Sequence, residues 1–457
     1  MRGAGVRWRS ATVPLALLVA GALGLIGCDA SRPSVIVVVV DTLRADRVGA
    51  TGGESGLTPF LDGLAGSGVA FRNARSTSSW TNPAVASLFT SRYPSQHRVG
   101  TFESRLSDAE VTLGERLEAA GWRGIGMVAN FRLTRTLGFA QGFDVWFSRL
   151  TAREMSAQRL GQDAVRYWDR HVARFFWRRR RPLFLYLHAM EPHAPYEPGA
   201  AVAAPRGSSQ ALANAKVMRP GRWNELTRDE VGYLAASYDA EVAALDARLR
   251  RVFARLRSRG LLDGAIVVVT ADHGEEFGEH GGFQHGRTLY QESVRVPLIM
   301  LGPGLPAGRV VERPVSLIDV APTILDLLGL PPEPRFEGRS LLPMLRGEGE
   351  SSGTLFELLP MGTAVEARQH VAGQATDELA LLETRLPEGG RGSEWFDLRR
   401  DPTERRPNPT HLEGTATTLR TALEARRQAI ASRAGVAETA PVDAGMRDRL
   451  RALGYAD

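Results

Sequence analysis

A short segment in the second half of the chain carries side chains of the types that bind metal ions. Asp272 and His273 follow the β-branched run at residues 267–270, and His285 comes later, after a glycine-rich stretch. A buried parallel strand delivers polar side chains in this way to the carboxyl edge of an α/β sheet, where ligands bind. Aspartate is a hard metal ligand and histidine a borderline one. The segment therefore predicts a metal-dependent enzyme.

Polar groups also stand at the ends of other predicted elements. Asp41 directly follows the continuous apolar run at residues 35–40, and His188 follows the run at residues 183–187. Because the carboxyl ends of parallel strands meet at one edge of a sheet, we expect these groups to converge. The candidate site residues are Asp41, Thr81, His188, His193, Asp272, His273 and His285.

The pattern of apolar runs indicates which elements position these residues. Strands are predicted at residues 35–40, 183–187, 265–270 and 296–301. Helices are predicted at residues 58–64, 84–89, 226–257 and 318–328. Strands that alternate with helices predict an α/β fold with a doubly wound, mostly parallel sheet. We assign residues 35–348 to a catalytic domain and residues 349–457 to a small α+β C-terminal subdomain that ends in a helix near residues 416–432.

Composition excludes some classes of function. The chain has 457 residues and a formal net charge of +6. Lys216 is its only lysine, so the positive charge is almost wholly arginine. The arginines are scattered, apart from the run at residues 178–181, and they form no stripe with aromatic partners, so no nucleic-acid partner is expected. The run itself is interpreted as a solvated helix end or as a contact with anionic lipid headgroups.

The amino terminus has the pattern of an export signal. Positive residues at Arg2, Arg7 and Arg9 precede an apolar stretch at residues 13–26 that is short for a membrane span. Cys28 follows at once and is the only cysteine, as in a bacterial lipobox. Residues 1–28 are therefore predicted to be a lipoprotein signal peptide and residues 29–34 a linker. A lipid on Cys28 would anchor an exported protein to a membrane, facing the periplasm or the cell exterior; an ordinary cleaved signal or a short anchor is the alternative.

Taken together, the motifs resemble the sulfatase branch of the alkaline phosphatase superfamily. The matching segments lie at residues 40–46, 58–64, 87–94, 188–196, 267–286, 290–297, 319–325, 337–341, 395–402 and 450–455. As a set they are specific, although each alone is weak. The resemblance implies an alkaline-phosphatase-like fold and a hydrolase of sulfuric or phosphoric esters, or a phospho-group transferase. It also implies a divalent metal cofactor, and the Asp and His ligands suit Ca, Mg, Mn or Zn.

The chain departs from the family at the nucleophile. Thr81 stands where sulfatases carry the Cys or Ser that matures to formylglycine, Val85 replaces the family's arginine, and the active-site lysines are missing. A threonine nucleophile is similar to that of the nucleotide pyrophosphatase/phosphodiesterases and of the envelope phosphoethanolamine and phosphoglycerol transferases. That resemblance implies metal ligands at Asp41, Thr81, Asp272 and His273. It also implies catalytic roles for Thr81, His193 and His285, and substrate contacts from His188, His193 and His285.

The expected reaction is cleavage of a phosphate or sulfate ester in the cell envelope through a covalent threonine intermediate. A threonine ester must be cleaved by a second in-line attack, which favours a phosphate ester over a sulfate ester. The missing cations also motivate a second hypothesis, a catalytically impaired binding or scaffold protein. Simpler interpretations stay open for single residues: Thr81 as a helix cap, His188 as a brace for its strand, and Glu275 as a solvated side chain. Residues 200–222 are expected to be a surface loop.

Overall fold

The computed structural model describes residues 32–53, 56–148, 156–172, 181–197, 202–219, 222–348, 353–359, 370–385 and 389–441. The predicted signal peptide, Cys28 and the first half of the predicted linker lie outside these ranges, as do most of the arginine run and the motif at residues 450–455. Residues Pro33–Asp457 form one compact unit. Among the described residues, no helix combines the length and the apolar character that crossing a membrane requires.

Eighteen strands fall within the described ranges. They are β1 (Val35–Val40), β2 (Val69–Phe71), β3 (Ala74–Arg75), β4 (Ser104–Arg105), β5 (Arg123–Val128), β6 (Val145–Ser148), β7 (Leu183–Ala189), β8 (Ile266–Ala271), β9 (Glu276–Phe277), β10 (Phe283–Gln284), β11 (Leu298–Leu301), β12 (Arg309–Val311), β13 (Val315–Ser316), β14 (Thr354–Leu358), β15 (His370–Ala375), β16 (Leu379–Arg385), β17 (Arg391–Asp397) and β18 (Glu438–Thr439).

Eleven α-helices fall within the same ranges. They are α1 (Pro59–Gly66), α2 (Thr81–Thr90), α3 (Pro94–His97), α4 (Leu113–Ala119), α5 (Ala157–Tyr167), α6 (Gln210–Val217), α7 (Arg228–Arg257), α8 (Gln291–Val294), α9 (Val320–Leu327), α10 (Leu342–Leu345) and α11 (Glu413–Ala431).

The central sheet has eight strands in the order β12-β2-β11-β8-β1-β7-β5-β6. Strand β1 lies between β7 and β8 and runs parallel to both. Its six residues are fully buried, because an uninterrupted valine and isoleucine run has no face suited to water. Strand β11 is antiparallel to both β8 and β2. The sheet is therefore mostly parallel, and the prediction of this α/β fold is confirmed.

Local sequence explains where the helices begin. In α7, the longest of these helices, Thr227 accepts a hydrogen bond from the Glu230 backbone and the Glu230 side chain accepts one from Thr227 in return. This reciprocal cap satisfies two amide groups that the first turn leaves without partners. In α1, Pro59 occupies the first turn after Thr58, as predicted.

A second, smaller sheet lies near the C-terminus. Strands β14, β15, β16 and β17 form an antiparallel meander, and α11 follows it along the chain. Apolar side chains join this sheet to the main unit: Phe356 and Phe396 share a buried cluster with Trp80, Leu289 and Val294. The small C-terminal subdomain predicted from the sequence is thus present and packs directly against the segment that leads into α2.

One local expectation was wrong. Residues 200–222 were expected to be a loop, but Gln210–Val217 form helix α6, capped by the Ser209 side chain.

Candidate active site

The sheet register brings together side chains that are far apart in the sequence. Val40, the last residue of β1, pairs with Ala189 on one side and with Ala271 on the other. Asp41 and Asp272 therefore leave adjacent strands at the same level. His188 stands one residue before Ala189 on the other neighbour of β1. The predicted convergence of these strand ends is present.

Asp41, His188, Asp272 and His273 form a buried group, here named the ligand cluster. His188 Nε2 lies 3.4 Å from Asp41 Oδ2 and 3.8 Å from Asp272 Oδ2. His273 Nε2 lies 3.6 Å from Asp41 Oδ1 and 3.5 Å from Asp272 Oδ2. Each of the four side chains is at most 1% exposed. Potential ligand atoms of Asp41, His188 and Asp272 all lie within 4.8 Å of one another.

His188 lies between the two carboxylates and is not among the described residues that line the adjoining cleft. The physical reason is that it belongs to β7 itself, so its side chain is held at the level of the sheet edge. Its Nδ1 is 2.9 Å from the Tyr186 hydroxyl, which fixes the ring. The His188 side chain is therefore placed where it could bind a metal ion together with Asp41 and Asp272. Its predicted contact with the substrate stays a prediction.

The electrostatics of the cluster fit a bound cation. Burial, together with the Asp41 charge, raises the pKa of Asp272. Burial opposes ionisation of Asp41 as well, but the hydrogen bond from His188 and the nearby imidazoles hold the pKa of Asp41 below its usual range. Two buried carboxylates that face each other are costly without a positive partner. Asp41 Oδ1 and Asp272 Oδ2 have no hydrogen-bond partner among the described residues.

The position of His273 points to the same conclusion. Its Nδ1 lies 2.9 Å from the Gly274 carbonyl oxygen, which can only accept, so Nδ1 carries a hydrogen. Its Nε2 faces oxygen atoms of both Asp41 and Asp272. A proton on Nε2 or a bound cation makes this arrangement favourable. A backbone carbonyl behind the second ring nitrogen is the usual support of a metal-binding histidine. The donor set therefore fits a divalent metal.

Thr81 is the first residue of α2 and lies beside this cluster. Its Oγ1 is 3.4 Å from His273 Nε2 and accepts a hydrogen bond from Asn130 Nδ2 at 3.3 Å. The residue before it, Trp80, occupies the cap position, and no side chain caps the helix. The interpretation of Thr81 as a helix cap is therefore wrong; its hydroxyl points to the cluster instead. Val85, one turn further, is buried in the core.

Asn130 also belongs to the site, although it was not among the predicted site residues. It follows β5 closely, and its Nδ2 donates to Asp41 Oδ2 at 2.6 Å as well as to Thr81. Its Oδ1 accepts from the Arg132 backbone at 2.8 Å, which fixes the orientation of the amide. The signal in the sequence was the short run Gly-Ile-Gly-Met-Val-Ala, which is followed directly by Asn130. Its two glycines made the run a weak strand candidate.

Glu275 was expected to be solvated, and this was wrong. It is fully buried, and its Oε1 lies 2.8 Å from His285 Nδ1 while its Oε2 accepts from the Tyr196 hydroxyl at 3.0 Å. Burial raises the pKa of Glu275 to about 7. Burial, together with His273 and His193, lowers the pKa of His285. His285 is thus held by a carboxylate on one ring nitrogen.

A narrow cleft opens beside Thr81, with space of about 10 Å³ for water-sized molecules. His193 and His285 line it together, with ring centres 5.0 Å apart, and the His285 ring is 4.3 Å from that of His273. Of the predicted site residues, Thr81, His193 and His285 reach this cleft, while the ligand cluster lies behind Thr81. His280 lies outside this group, and its Nδ1 is 2.6 Å from Glu292 Oε1.

Comparison with known proteins agrees with the motifs and the fold. The family model described as Sulfatase matches residues 33–330. The chain belongs to the sulfatase family, which groups ester hydrolases that generally depend on a metal. A second model, described as N-sulphoglucosamine sulphohydrolase, C-terminal, matches residues 278–429.

Several relatives and structures show the range of this family. The chain is 27% identical to the multifunctional alkaline phosphatase superfamily protein PehA of Trinickia caryophylli, over 72% of this chain and 80% of that protein. It is 41% identical to human arylsulfatase K, over 26% of this chain but only 22% of that protein. Its fold is similar to that of the phosphonate monoester hydrolase of Agrobacterium radiobacter, with a TM-score of 0.69 and 22% identity over 87% of this chain and 96% of the other.

Proposed function

We propose that the chain is a metal-dependent hydrolase or transferase that cleaves a sulfate, phosphate or phosphonate ester through a covalent intermediate on Thr81. The single observation that carries the proposal is the position of the Thr81 hydroxyl. It lies in a cleft, within contact of His273, and it caps no helix. A hydroxyl so placed can reach both a substrate and a metal ligand. The intact ligand cluster also argues against the scaffold hypothesis.

The residues of the site have separate roles in binding the metal and in orienting the nucleophile. Asp41, His188, Asp272 and His273 would hold the metal, with Thr81 as a further ligand. When bound, a divalent ion there would polarise a substrate oxygen and activate the Thr81 hydroxyl. Asn130 also hydrogen bonds to this hydroxyl and so orients it. This ligand set is the predicted one with His188 added.

The reaction proceeds by two in-line displacements. Thr81 Oγ1 forms a bond to sulfur or phosphorus while the bond to the departing alcohol oxygen breaks. The hydroxyl proton passes to that oxygen through the histidines that line the cleft, His193 and His285. Water, or a second alcohol in a transferase, then attacks the threonine ester and restores the hydroxyl. Glu275 holds His285 through Nδ1, so Nε2 is left to accept the proton of the attacking molecule.

Substitution at Thr81 tests the proposal. Thr81→Ala should lower turnover of aryl sulfate, phosphate and phosphonate esters by about 10³-fold or more, because no other group replaces the nucleophile. Thr81→Ser should retain most of the activity. Thr90→Ala, at the other end of the same helix, is the matched control, since its hydroxyl donates to the Ala86 carbonyl. Unchanged turnover in Thr81→Ala would refute the nucleophile assignment.

We propose further that the protein is exported and attached to a membrane by a lipid on Cys28. The support is the arginine-rich, then apolar, amino-terminal sequence that ends at the only cysteine. Cys28→Ala should release the protein from the membrane fraction into the soluble fraction of fractionated cells. A protein that remains soluble with Cys28 intact would refute the anchor and leave the catalytic proposal untouched.

A further inference from the structure

The central sheet has a second edge, opposite the ligand cluster, where its parallel strands begin. Val35 of β1 pairs with Phe184 of β7 and with Ile266 of β8, and Arg123 of β5 pairs with Leu183 of β7. This edge is here named the amino edge. A six-residue strand such as β1 is roughly 20 Å long. Groups at the amino edge are therefore too far from Thr81 to take part in the proposed catalysis.

Arginines stand where several strands begin. Arg123 is the first residue of β5, and Arg181 donates to the Gly121 and Trp122 carbonyls beside it. Strands β2 and β12 begin at this edge too, because β11 runs antiparallel to both β8 and β2 and β12 runs parallel to β2. Arg309 is the first residue of β12 and is exposed. Positive charge therefore extends along the edge from β5 to β12.

Two helices end at the same edge. Arg257 is the last residue of α7 and lines a groove with Ala265, the residue before β8. Asp169, just after α5, pairs with Arg259 at 2.8 Å, so the end of α5 lies there as well. Arg170 and Arg257 are exposed. The helix dipole accounts for a basic residue at the end of α7, but not for the arginines that begin strands.

The charges at the amino edge do not balance. The arginines that lie here include Arg123, Arg170, Arg181, Arg257, Arg259 and Arg309. The acidic residues beside them are Glu118, Asp144, Asp169 and Asp263. Asp144 pairs with Arg181, and Asp169 with Arg259, whereas the other four arginines form no ion pair with any described residue. The amino edge is therefore a positively charged surface.

The predicted linker enters the fold at this surface. The Pro33 carbonyl accepts a hydrogen bond from Trp122 Nε1 at 3.0 Å, and the Ser34 carbonyl accepts one from the Ile266 backbone at 2.8 Å. Only residues 29–32 separate Cys28 from Pro33. Because an extended chain covers at most about 3.6 Å per residue, a lipid on Cys28 would hold the amino edge within about 20 Å of the membrane.

We propose that the amino edge is a membrane-contact surface, at which arginines bind the phosphate groups of anionic lipids and turn the cleft away from the membrane. A guanidinium presents a fork of donors that matches two phosphate oxygens. Basic residues near an anionic membrane are also attracted to its negative surface potential. The substrate is then an ester outside the anchoring membrane and not one of its headgroups. The proposal rests on the proposed lipid on Cys28, because the short linker brings this edge to the membrane.

Fluorescent labels at the two ends of α7 test the orientation. This 30-residue helix is about 45 Å long, with Asn224 just before it and Ser258 just after it. The lipidated variants Asn224→Cys and Ser258→Cys are labelled and reconstituted in vesicles of phosphatidylglycerol and phosphatidylcholine that carry a nitroxide quencher on the headgroup. Quenching at position 258 should be at least about 3-fold that at position 224, since the helix length keeps the far label away from the headgroups. Equal quenching at the two positions would overturn the proposal.

Removal of charge tests the arginines. Arg170→Gln, Arg257→Gln and Arg309→Gln, combined in the Ser258→Cys protein, should lower quenching at position 258 by about 3-fold or more, because three of the attracted charges are lost. Vesicles of phosphatidylcholine alone should have the same effect without any arginine substitution. The matched control combines Arg135→Gln, Arg206→Gln and Arg228→Gln, at exposed arginines outside this edge. Quenching at position 258 that is the same in both kinds of vesicle would also overturn the proposal.

The surface and the anchor fail separately. If the chain is attached to the membrane but both ends of α7 are quenched alike, the surface is wrong and the anchor stands. If the chain stays soluble with Cys28 intact, the anchor is wrong. Binding of that soluble chain to phosphatidylglycerol vesicles, lost when the three arginines are replaced, would then support the surface by itself, and no binding would overturn it.

Discussion

The ligand cluster and the cleft wall share a boundary at Thr81 but are built in different ways. The ligand cluster comes from the ends of three adjacent parallel strands, and the register of β1 with β7 and β8 sets its geometry. The cleft wall comes from the start of a helix and from segments between elements, including Phe102 and Arg132. Strand ends place the ligand cluster, and connecting segments place most of the side chains that line the cleft. Damage to the two regions should therefore have different signatures.

Removal of one carboxylate from the ligand cluster should have the largest effect. Asp41→Asn should lose bound metal and lower turnover of every ester by about 10³-fold or more, since the metal and the nucleophile depend on the same group. Metal content by elemental analysis, measured together with turnover, checks this. In a chelator the variant should unfold at the same temperature as the wild type or higher, because Asp272 no longer faces a second carboxylate.

Asp108→Asn, at an exposed aspartate, is the control for this experiment. Full metal content in Asp41→Asn would contradict the assignment of the cluster.

Asn130 lies between the two regions and should show an intermediate effect. Asn130→Ala removes the hydrogen bonds to Asp41 and Thr81, so turnover should fall by about 10–100-fold while metal content stays close to that of the wild type. Steady-state kinetics with parallel metal analysis separates the two. Asn73→Ala, between β2 and β3, controls for loss of an amide, since the Asn73 side chain donates to the Glu312 carbonyl instead. Loss of the metal in Asn130→Ala would show that Asn130 belongs to the ligand cluster.

Glu275 acts only through His285, so its substitution should be milder. Glu275→Gln keeps an acceptor for His285 Nδ1 but removes the charge, and we expect kcat to fall by about 10-fold with little change in KM. If Glu275 were purely structural, Glu275→Gln would lower stability and would not lower kcat selectively over KM. Glu118→Gln, on the exposed face of α4, is the control. A change confined to KM would place Glu275 in recognition instead.

His280 and Glu292 form a pair outside both regions, and substitution of His280 should affect stability alone. Burial opposes the charge of His280, but its hydrogen bond to Glu292 raises its pKa to about 9. Because the folded-state pKa is raised, the stabilisation is fully present below the unfolded value near 6.5 and is lost as the pH rises through 9. His280→Gln should cost on the order of 1–3 kcal/mol in urea unfolding at pH 6 and much less at pH 9.5. An equal cost at both values would contradict the charge on His280.

The contrast between the two regions also explains what the sequence could predict. Residues 35–40 were predicted as a strand and form β1 with the same bounds, because a fully apolar run has one stable environment. The sequence alone therefore placed the residues at its end, and at the end of β8, at the same edge of the sheet. The roles assigned to them in binding metal or substrate stay predictions.

Asn130 was missed because long-range contacts require two glycines in β5, the strand that precedes it. A Cβ at Gly126 would come within 2.2 Å of the Trp146 ring, and a Cβ at Gly124 within 2.6 Å of the Gly142 carbonyl oxygen. Glycine is required at both positions, and it dilutes the apolar pattern of β5. Nothing local reveals such a requirement.

Glu275 was misjudged for a related reason. In the sequence it stands beside Glu276 and close to Glu279, which is the usual composition of a solvated turn. Its partners, Tyr196 and His285, come from other segments, and only the folded chain brings them into contact with it. Burial of an acid depends on its partners, and local composition does not encode them.

The central position of β1 has a consequence for biosynthesis. The strand leaves the ribosome early, yet its two hydrogen-bonded neighbours begin only at Leu183 and Ile266. Until then, six uncharged valine and isoleucine residues remain without a partner in the growing chain. A run of this kind is prone to associate with other unfinished chains. The strand that later centres the finished sheet must therefore be kept from association until the chain as far as β8 is available.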